Sequence, residues 1–328
     1  MKQRRIGSLE VSIVGLGCNN FGRRLNKKDS AAVVNAALDA GITLFDTADI
    51  YGDGRSEEFV GRALGSRRDS VVIATKFGSS MKGRGKGASA AYIRKTIEAS
   101  LRRLGTDRID LYQLHEPDET VPIEETLGAL DELVRAGKVH EIGCSNFTTD
   151  QIREADAAVR GGARFASVQN EYNLLNREPE QGVLAECERL GLAFLPYFPL
   201  ASGLLTGKYC RGRPAPKGSR LAEKRFSSQL TGSEPRDRGG SDPVRRITRS
   251  HDPGAGRLLA ARPTDRGVGH LRRDLTAAGA GERQRRWLGA DRSGSRRDRR
   301  HRHDRGPINP PQRDLEIPLS DVYLNPGR

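Results

Sequence analysis

Four polar side chains stand just past short apolar runs in the first half of this 328-residue chain: Asp46 after Thr43–Phe45, Tyr51 a few residues on, Lys76 after Val71–Thr75 and His115 after Ile109–Leu114. In a parallel barrel the carboxyl ends of the strands carry the reacting groups, so this placement aims all four at one mouth. The set suits proton delivery to a carbonyl that is gaining hydride. Such a carbonyl develops alkoxide character and needs a proton, which a free phenol with a pKa of about 10 releases reluctantly. A lysine beside the phenol favours phenolate and tunes its pKa downward, a buried aspartate keeps that lysine charged, and a histidine orients the carbonyl oxygen. Alone, Asp46 is also what a turn cap looks like, His115 a satisfied core histidine and Tyr197 core filler. Their joint occurrence at successive strand ends selects catalytic placement for the four.

The elements that must hold these groups follow from periodicity. Seven strands are expected, at Val11–Leu16, Thr43–Phe45, Val71–Thr75, Ile109–Leu114, Val139–Gly143, Ala166–Gln169 and Ala193–Tyr197, each a brief apolar run of the kind a doubly covered strand shows. Amphipathic helices fall between them. Ser89–Leu104 carries Ile93, Ile97, Leu101 and Leu104 on one face with Gly105 placed to end it, and Glu124–Ala136 is followed by Gly137. Two more helices are expected to begin at Asp29 or Ser30 and at Ser56. Strand–helix units in this order predict a (β/α)8 barrel, with Ile6–Val11 as a hairpin across its floor.

Composition narrows the partners. No apolar run is long enough to span a membrane and Met1–Arg5 leads into no signal core, so a cytoplasmic protein is expected. Cys18, Cys144, Cys187 and Cys210 are scattered, which predicts reduced thiols rather than a disulfide framework or a metal site. No G-x-G-x-x-G with a following acidic residue occurs, so a Rossmann-type dinucleotide fold is not supported; Gly15-Leu16-Gly17 is a weak signal by itself.

The motifs F-D-T-A-D-I-Y-G (45–52), G-R-S-E-E-F-V-G-R-A-L (54–64), V-V-I-A-T-K-F-G (71–78) and D-L-Y-Q-L-H-E-P (110–117) together resemble the aldo-keto reductases. E-I-G-C-S-N-F (141–147), S-V-Q-N-E-Y-N-L-L-N (167–176) and Y-F-P-L-A-S-G-L-L-T-G-K-Y (197–209) continue the resemblance in order, toward the branch that includes potassium-channel β subunits. One such motif is weak, but seven in sequence are specific. The resemblance implies a catalytic tetrad of Asp46, Tyr51, Lys76 and His115 with Tyr51 as general acid. It puts Ser145, Asn146 and Gln169 at a nicotinamide carboxamide and Tyr197 against its ring. Pro199, Leu200, Ser202, Gly203 and Leu205 then line a pyrophosphate loop, and Lys208 and Arg220 approach an adenosine phosphate, implying NADPH as cofactor and a small aldehyde or ketone as substrate. A cofactor-sensing subunit with little turnover, like the channel subunits, is the rival within the same resemblance. Neither the substrate nor the oligomeric state is readable from the residues.

The resemblance covers residues 1–232. Those residues carry 34 basic and 29 acidic side chains, whereas 233–328 carry 22 basic, every one an arginine, against 13 acidic. The remaining segment is rich in Arg, Gly, Asp and Pro without helical periodicity, as in S-G-S-R-R-D-R-R (293–300). One reading is a disordered basic tail that binds nucleic acid, for which Trp287 and Tyr323 are the only stacking rings. The favoured reading is a frameshift in a GC-rich gene, beginning within Thr231–Pro235. Permitted codons for Val268–Arg302, read one nucleotide later, yield S-P-P-Q-V-R-A-N and a following helix, which resemble the family's missing eighth strand, phosphate loop and final helix. Two expectations follow: an incomplete barrel with unpaired edges at its first and seventh strands, and a cofactor affinity that suffers first.

Overall fold

The computed structural model describes residues 1–81, 83, 85–209, 214–222 and the backbone of 322–324. These lie in one of two compact units, Met1–Arg262 with Leu315–Arg328; the other, Pro263–Asp314, falls outside the described residues, as do Cys210 and nearly all of the segment read as frameshifted.

Seven parallel strands pair in chain order: β3 (Val14–Gly17), β4 (Leu44–Asp46), β5 (Val72–Phe77), β6 (Ile109–Leu114), β7 (Val139–Ser145), β8 (Phe165–Gln169) and β9 (Ala193–Phe194). Helices alternate with them, α1 (Lys27–Asp39), α2 (Arg55–Leu64), α3 (Ala90–Leu104), α4 (Ile123–Arg135), α5 (Thr149–Ala158) and α6 (Val183–Leu190). This is the curled sheet of an incomplete (β/α)8 barrel, as the sequence pattern predicts. Side chains alternate across each strand. Phe45, Ile73, Tyr112, Ile142 and Val168 pack outward against the helices, while Leu44, Ala74, Leu111 and Ala193 point inward.

The predicted floor hairpin is present as β1 (Gln3–Ile6) and β2 (Leu9–Ser12), antiparallel and turned at Gly7. Its Ile6, Leu9 and Val11 plug the inner cluster from below. The run Val11–Leu16, expected as one strand, is divided: Val11 and Ser12 end the hairpin, and only Val14 onward joins the main sheet.

Caps decide the helix starts. Ser89 accepts from Tyr92 N and Gly105 closes α3 in the left-handed region, as expected. Helix α1, however, starts earlier than Asp29, because Asn26 accepts from Asp29 N and leaves Asp29 in the first turn. Ser56 is not a cap at all. It lies buried inside α2, donates to the Cys18 carbonyl at 2.8 Å and touches Thr47 Oγ1 at 2.8 Å, which ties α2 to the loops after β3 and β4.

The expectation of two bare edges needs correction. Val322–Leu324 forms a strand, β10, that runs antiparallel along β3 and covers its outer edge. An antiparallel segment is not an eighth strand–helix unit, which would run parallel. The far edge of β9 carries no ladder among the described residues.

Candidate active site

Asp46 ends β4, Lys76 lies near the end of β5, and His115 follows β6 with its backbone N–H donating to Phe77 O at 2.8 Å. Tyr51 opens the short turn Tyr51–Gly54 after β4. That turn needs glycine at position 52, where φ is 59° and a Cβ would stand 2.6 Å from the Phe21 carbonyl oxygen. A side chain there would push the Tyr51–Gly54 turn off the Phe21–Gly22 backbone.

The four groups converge. Lys76 Nζ donates to both Asp46 oxygens at 2.7 Å and to Thr47 O at 2.9 Å, with Lys76 only 1% exposed. The ammonium stands 5.1 Å from the Tyr51 ring centroid, and the Tyr51 and His115 rings meet edge to face at 5.8 Å. Burial by itself disfavours the lysine's charge, but the Asp46 carboxylate and the Tyr51 phenol outweigh it and hold the ammonium above its usual range. Burial pushes the Tyr51 phenol up; Lys76 pulls it back down without fully cancelling burial. The lysine thus pulls the phenol down in the direction the sequence reading expects, while the desolvation of the buried ring pushes it up by more. His115 is held down to about 3, by burial first and Lys76 second, so its imidazole is neutral at physiological pH.

The second predicted set surrounds these four. Ser145 Oγ donates to Gln169 O at 2.7 Å, Asn146 Nδ2 donates to His115 O at 3.0 Å, and the Tyr197 hydroxyl donates to Asn146 Oδ1 at 2.8 Å. Asp46, Tyr51, His115, Ser145, Asn146, Gln169 and Tyr197 line one cavity of about 300 Å³. Arg220 lines the same cavity, bound to Asn19 Oδ1 at 3.0 Å and Asn20 Oδ1 at 3.4 Å, and stacked 5.2 Å from the Phe198 ring. Pro199, Leu200, Ser202, Gly203, Leu205 and Lys208 are not on its wall. They form a neighbouring loop in which Ser202 and Gly203 take left-handed φ and Lys208 Nζ folds over Gly203, 2.7 Å from where a Cβ would be.

Asn19, Arg23, Glu116 and Phe198 also line the cavity and were missed from the sequence. Glu116 directly follows His115, and Asn19 follows Gly17 at the end of β3, so the strand-end rule that found the tetrad applies to both. Asp49 was missed as well. Only 1% exposed, it is raised to about 7 by burial, followed by repulsion from Glu57.

With this geometry in view, comparison with known proteins is consistent. The Aldo/keto reductase family model matches residues 13–252, and the chain belongs to that family. It is 43% identical over 208 residues to the aldo-keto reductase YhdN of Bacillus subtilis, covering 61% of this chain and 62% of that protein. It is 38% identical over 229 residues to the protein named Probable aldo-keto reductase 1 of Glycine max, covering 67% of this chain and 65% of that one. The chain thus spans somewhat less than two thirds of the length of these curated relatives. Among solved structures, a glycerol dehydrogenase from Gluconobacter oxydans superposes with a TM-score of 0.59 at 33% identity, covering 70% of this chain and 74% of the other.

Proposed function

We propose that this chain is an oxidoreductase that reduces small aldehydes or ketones with NADPH, with Tyr51 as the proton donor. The observation that carries the reading is the buried Lys76 ammonium, bonded to Asp46 and set beside the Tyr51 phenol at the cavity that His115 also lines.

The residues fit a nicotinamide. Gln169 is 2% exposed and lines the cavity, and its carboxamide makes no hydrogen bond to the protein among the described residues. A primary amide on the ligand offers the matching donor and acceptor. Asn146 is already bonded to His115 and Tyr197, so it fixes that wall rather than waiting for a partner. Lys208 and Arg220 are the cations proposed for the phosphates, and they support the 2′-phosphorylated form of the cofactor.

When bound, the dihydronicotinamide supplies the hydride. The chain's residues then do the rest. The Tyr51 hydroxyl gives its proton to the carbonyl oxygen as negative charge gathers there, and the Lys76 ammonium stabilises the phenolate left behind. Asp46 holds that ammonium in place and charged. His115, neutral, donates a hydrogen bond to the substrate oxygen without competing as an acid.

We also propose that residues from about 233 onward are an out-of-frame reading and that activity is weak in the chain as written. Carbonyl-dependent oxidation of NADPH by the purified chain, beside the frame-restored chain, tests both parts. Restored turnover with little in the chain as written is expected. Equal turnover would refute the frame reading, and no turnover in either would refute the enzymatic one.

A further inference from the structure

The Lys76 ammonium has an anchor besides its carboxylate. An ammonium only donates, and this one reaches three oxygens: both of Asp46 at 2.7 Å and the Thr47 carbonyl at 2.9 Å. The third is a backbone oxygen, so its position is set by whatever holds the Thr47 peptide.

That peptide is held from three directions. Thr47 N donates to Ala74 O at 2.8 Å, the neighbouring Asp46 O accepts from Cys18 N at 2.8 Å, and Thr47 Oγ1 meets Ser56 Oγ at 2.8 Å. The last bond has a fixed sense. Ser56 gives its single O–H to the Cys18 carbonyl at 2.8 Å, and a carbonyl only accepts, so Thr47 must donate to Ser56. A directed chain results, from the Thr47 hydroxyl to the Ser56 hydroxyl to the Cys18 carbonyl, and it joins the end of β4 to α2 and to the loop after β3. Cys18, Thr47 and Ser56 are wholly buried and Lys76 nearly so, which leaves these bonds strong and unscreened by bulk solvent.

We propose that Ser56 is a positioning residue for the Lys76 ammonium: acting through the Thr47 hydroxyl, it fixes the backbone carbonyl that, with Asp46, keeps Lys76 beside Tyr51. The benefit to catalysis rests on the reading of Tyr51 as proton donor, because an ammonium displaced by a fraction of an ångström stabilises the phenolate less well. The positioning itself is a property of the fold.

The Lys76 Nζ resonance, read by proton–nitrogen correlation NMR on the full chain at neutral pH, reports the positioning without any turnover. Lys76 is the one buried lysine among the described residues, and Lys76→Met identifies its signal. Thr47→Val keeps the shape of the side chain and removes the donor; Ser56→Ala removes the acceptor. Each is expected to shift the Nζ signal and to speed exchange of its hydrogens with water on the order of tenfold, the factor that weakening one hydrogen bond to a charged group supplies. Thr47→Ser retains the hydroxyl and is expected to match the parent. Should Ser56→Ala fail to fold, Thr47→Val decides. A lower unfolding midpoint with an unmoved Lys76 signal overturns the proposal, and so does a Thr47→Ser signal displaced as far as that of Thr47→Val. Absence of carbonyl reduction would refute the reading of Tyr51, while this comparison still decides on Ser56.

Discussion

Lys76 Nζ sits 2.7 Å from both oxygens of Asp46, and the pair is almost completely shielded from solvent. Each charge is tolerable in the interior only because the other is present. Asp46→Asn would leave the ammonium uncompensated, which typically costs about 3–5 kcal/mol. Denaturant unfolding at neutral pH should show a loss of that size, and a loss under about 1 kcal/mol would mean the pair is not formed.

The same pair sets an alkaline limit. The folded-state pKa of Lys76 is raised above its unfolded value of 10.5, so its contribution to stability is complete below that pH and is lost as pH rises through the folded value. Thermal unfolding of the parent should fall off on that alkaline side. Lys76→Met should lack this component of the fall, and an identical alkaline profile in both proteins would argue against it.

His115 gives the opposite limb. Its folded value of about 3 lies below the ordinary 6.5, so the protein keeps full stability above pH 6.5 and loses it progressively as pH falls toward 3. The ring should therefore remain neutral through pH 5. Imidazole proton or carbon shifts in an NMR titration report this directly, and a midpoint near 6.5 for His115 would contradict it.

Asp49 is a buried acid that shares the cation Arg103 with another. Glu57 takes Arg103 at 2.6 Å and Thr75 Oγ1 at 2.7 Å, and burial first, then repulsion from Glu57, makes Asp49 ionise late, near 7 against 3.8 unfolded. A raised carboxyl destabilises as pH climbs from about 4 to 7, because the unfolded chain has released the proton and the folded one has not. Asp49→Asn should raise stability above pH 7 by an amount on the order of 2–4 kcal/mol, with little gain near pH 4. Urea midpoints at the two pH values check it; an equal change at both would show that the effect is steric.

The antiparallel strand on β3 makes a separate prediction. Tyr323 pairs with Gly15 in that ladder, and proline at 323 removes a backbone donor. If β10 shields the β3 edge, Tyr323→Pro should lower the unfolding midpoint and increase concentration-dependent association, read by light scattering. Unchanged behaviour would mean the strand protects nothing.

Much of this arrangement was legible from residue order. Asp46, Lys76 and His115 each follow an apolar run, and strand ends in a barrel share a mouth, so their meeting required only the fold class. Helix ends were less legible where two polar residues competed. Asn26 and Asp29 are both good caps, and the choice rests on which side chain finds a free N–H. Ser56 reads as a cap from its neighbours, yet the burial of α2 against Cys18 and Thr47 gives it another job. β10 pairs with β3 from the opposite end of the chain, a relation that leaves no local signal. Asp49 stands inside the clearest motif, but its burial beside Glu57 shows only once the chain is folded around it.

The most direct test of the central claim is carbonyl-dependent NADPH oxidation by the frame-restored chain and by its Tyr51→Phe variant, at saturating cofactor. Loss of the phenol proton should lower turnover by roughly 10²–10⁴ while leaving NADPH binding, followed by fluorescence, nearly unchanged. Turnover in Tyr51→Phe within a few fold of the restored protein would contradict the assignment of Tyr51 as the proton donor.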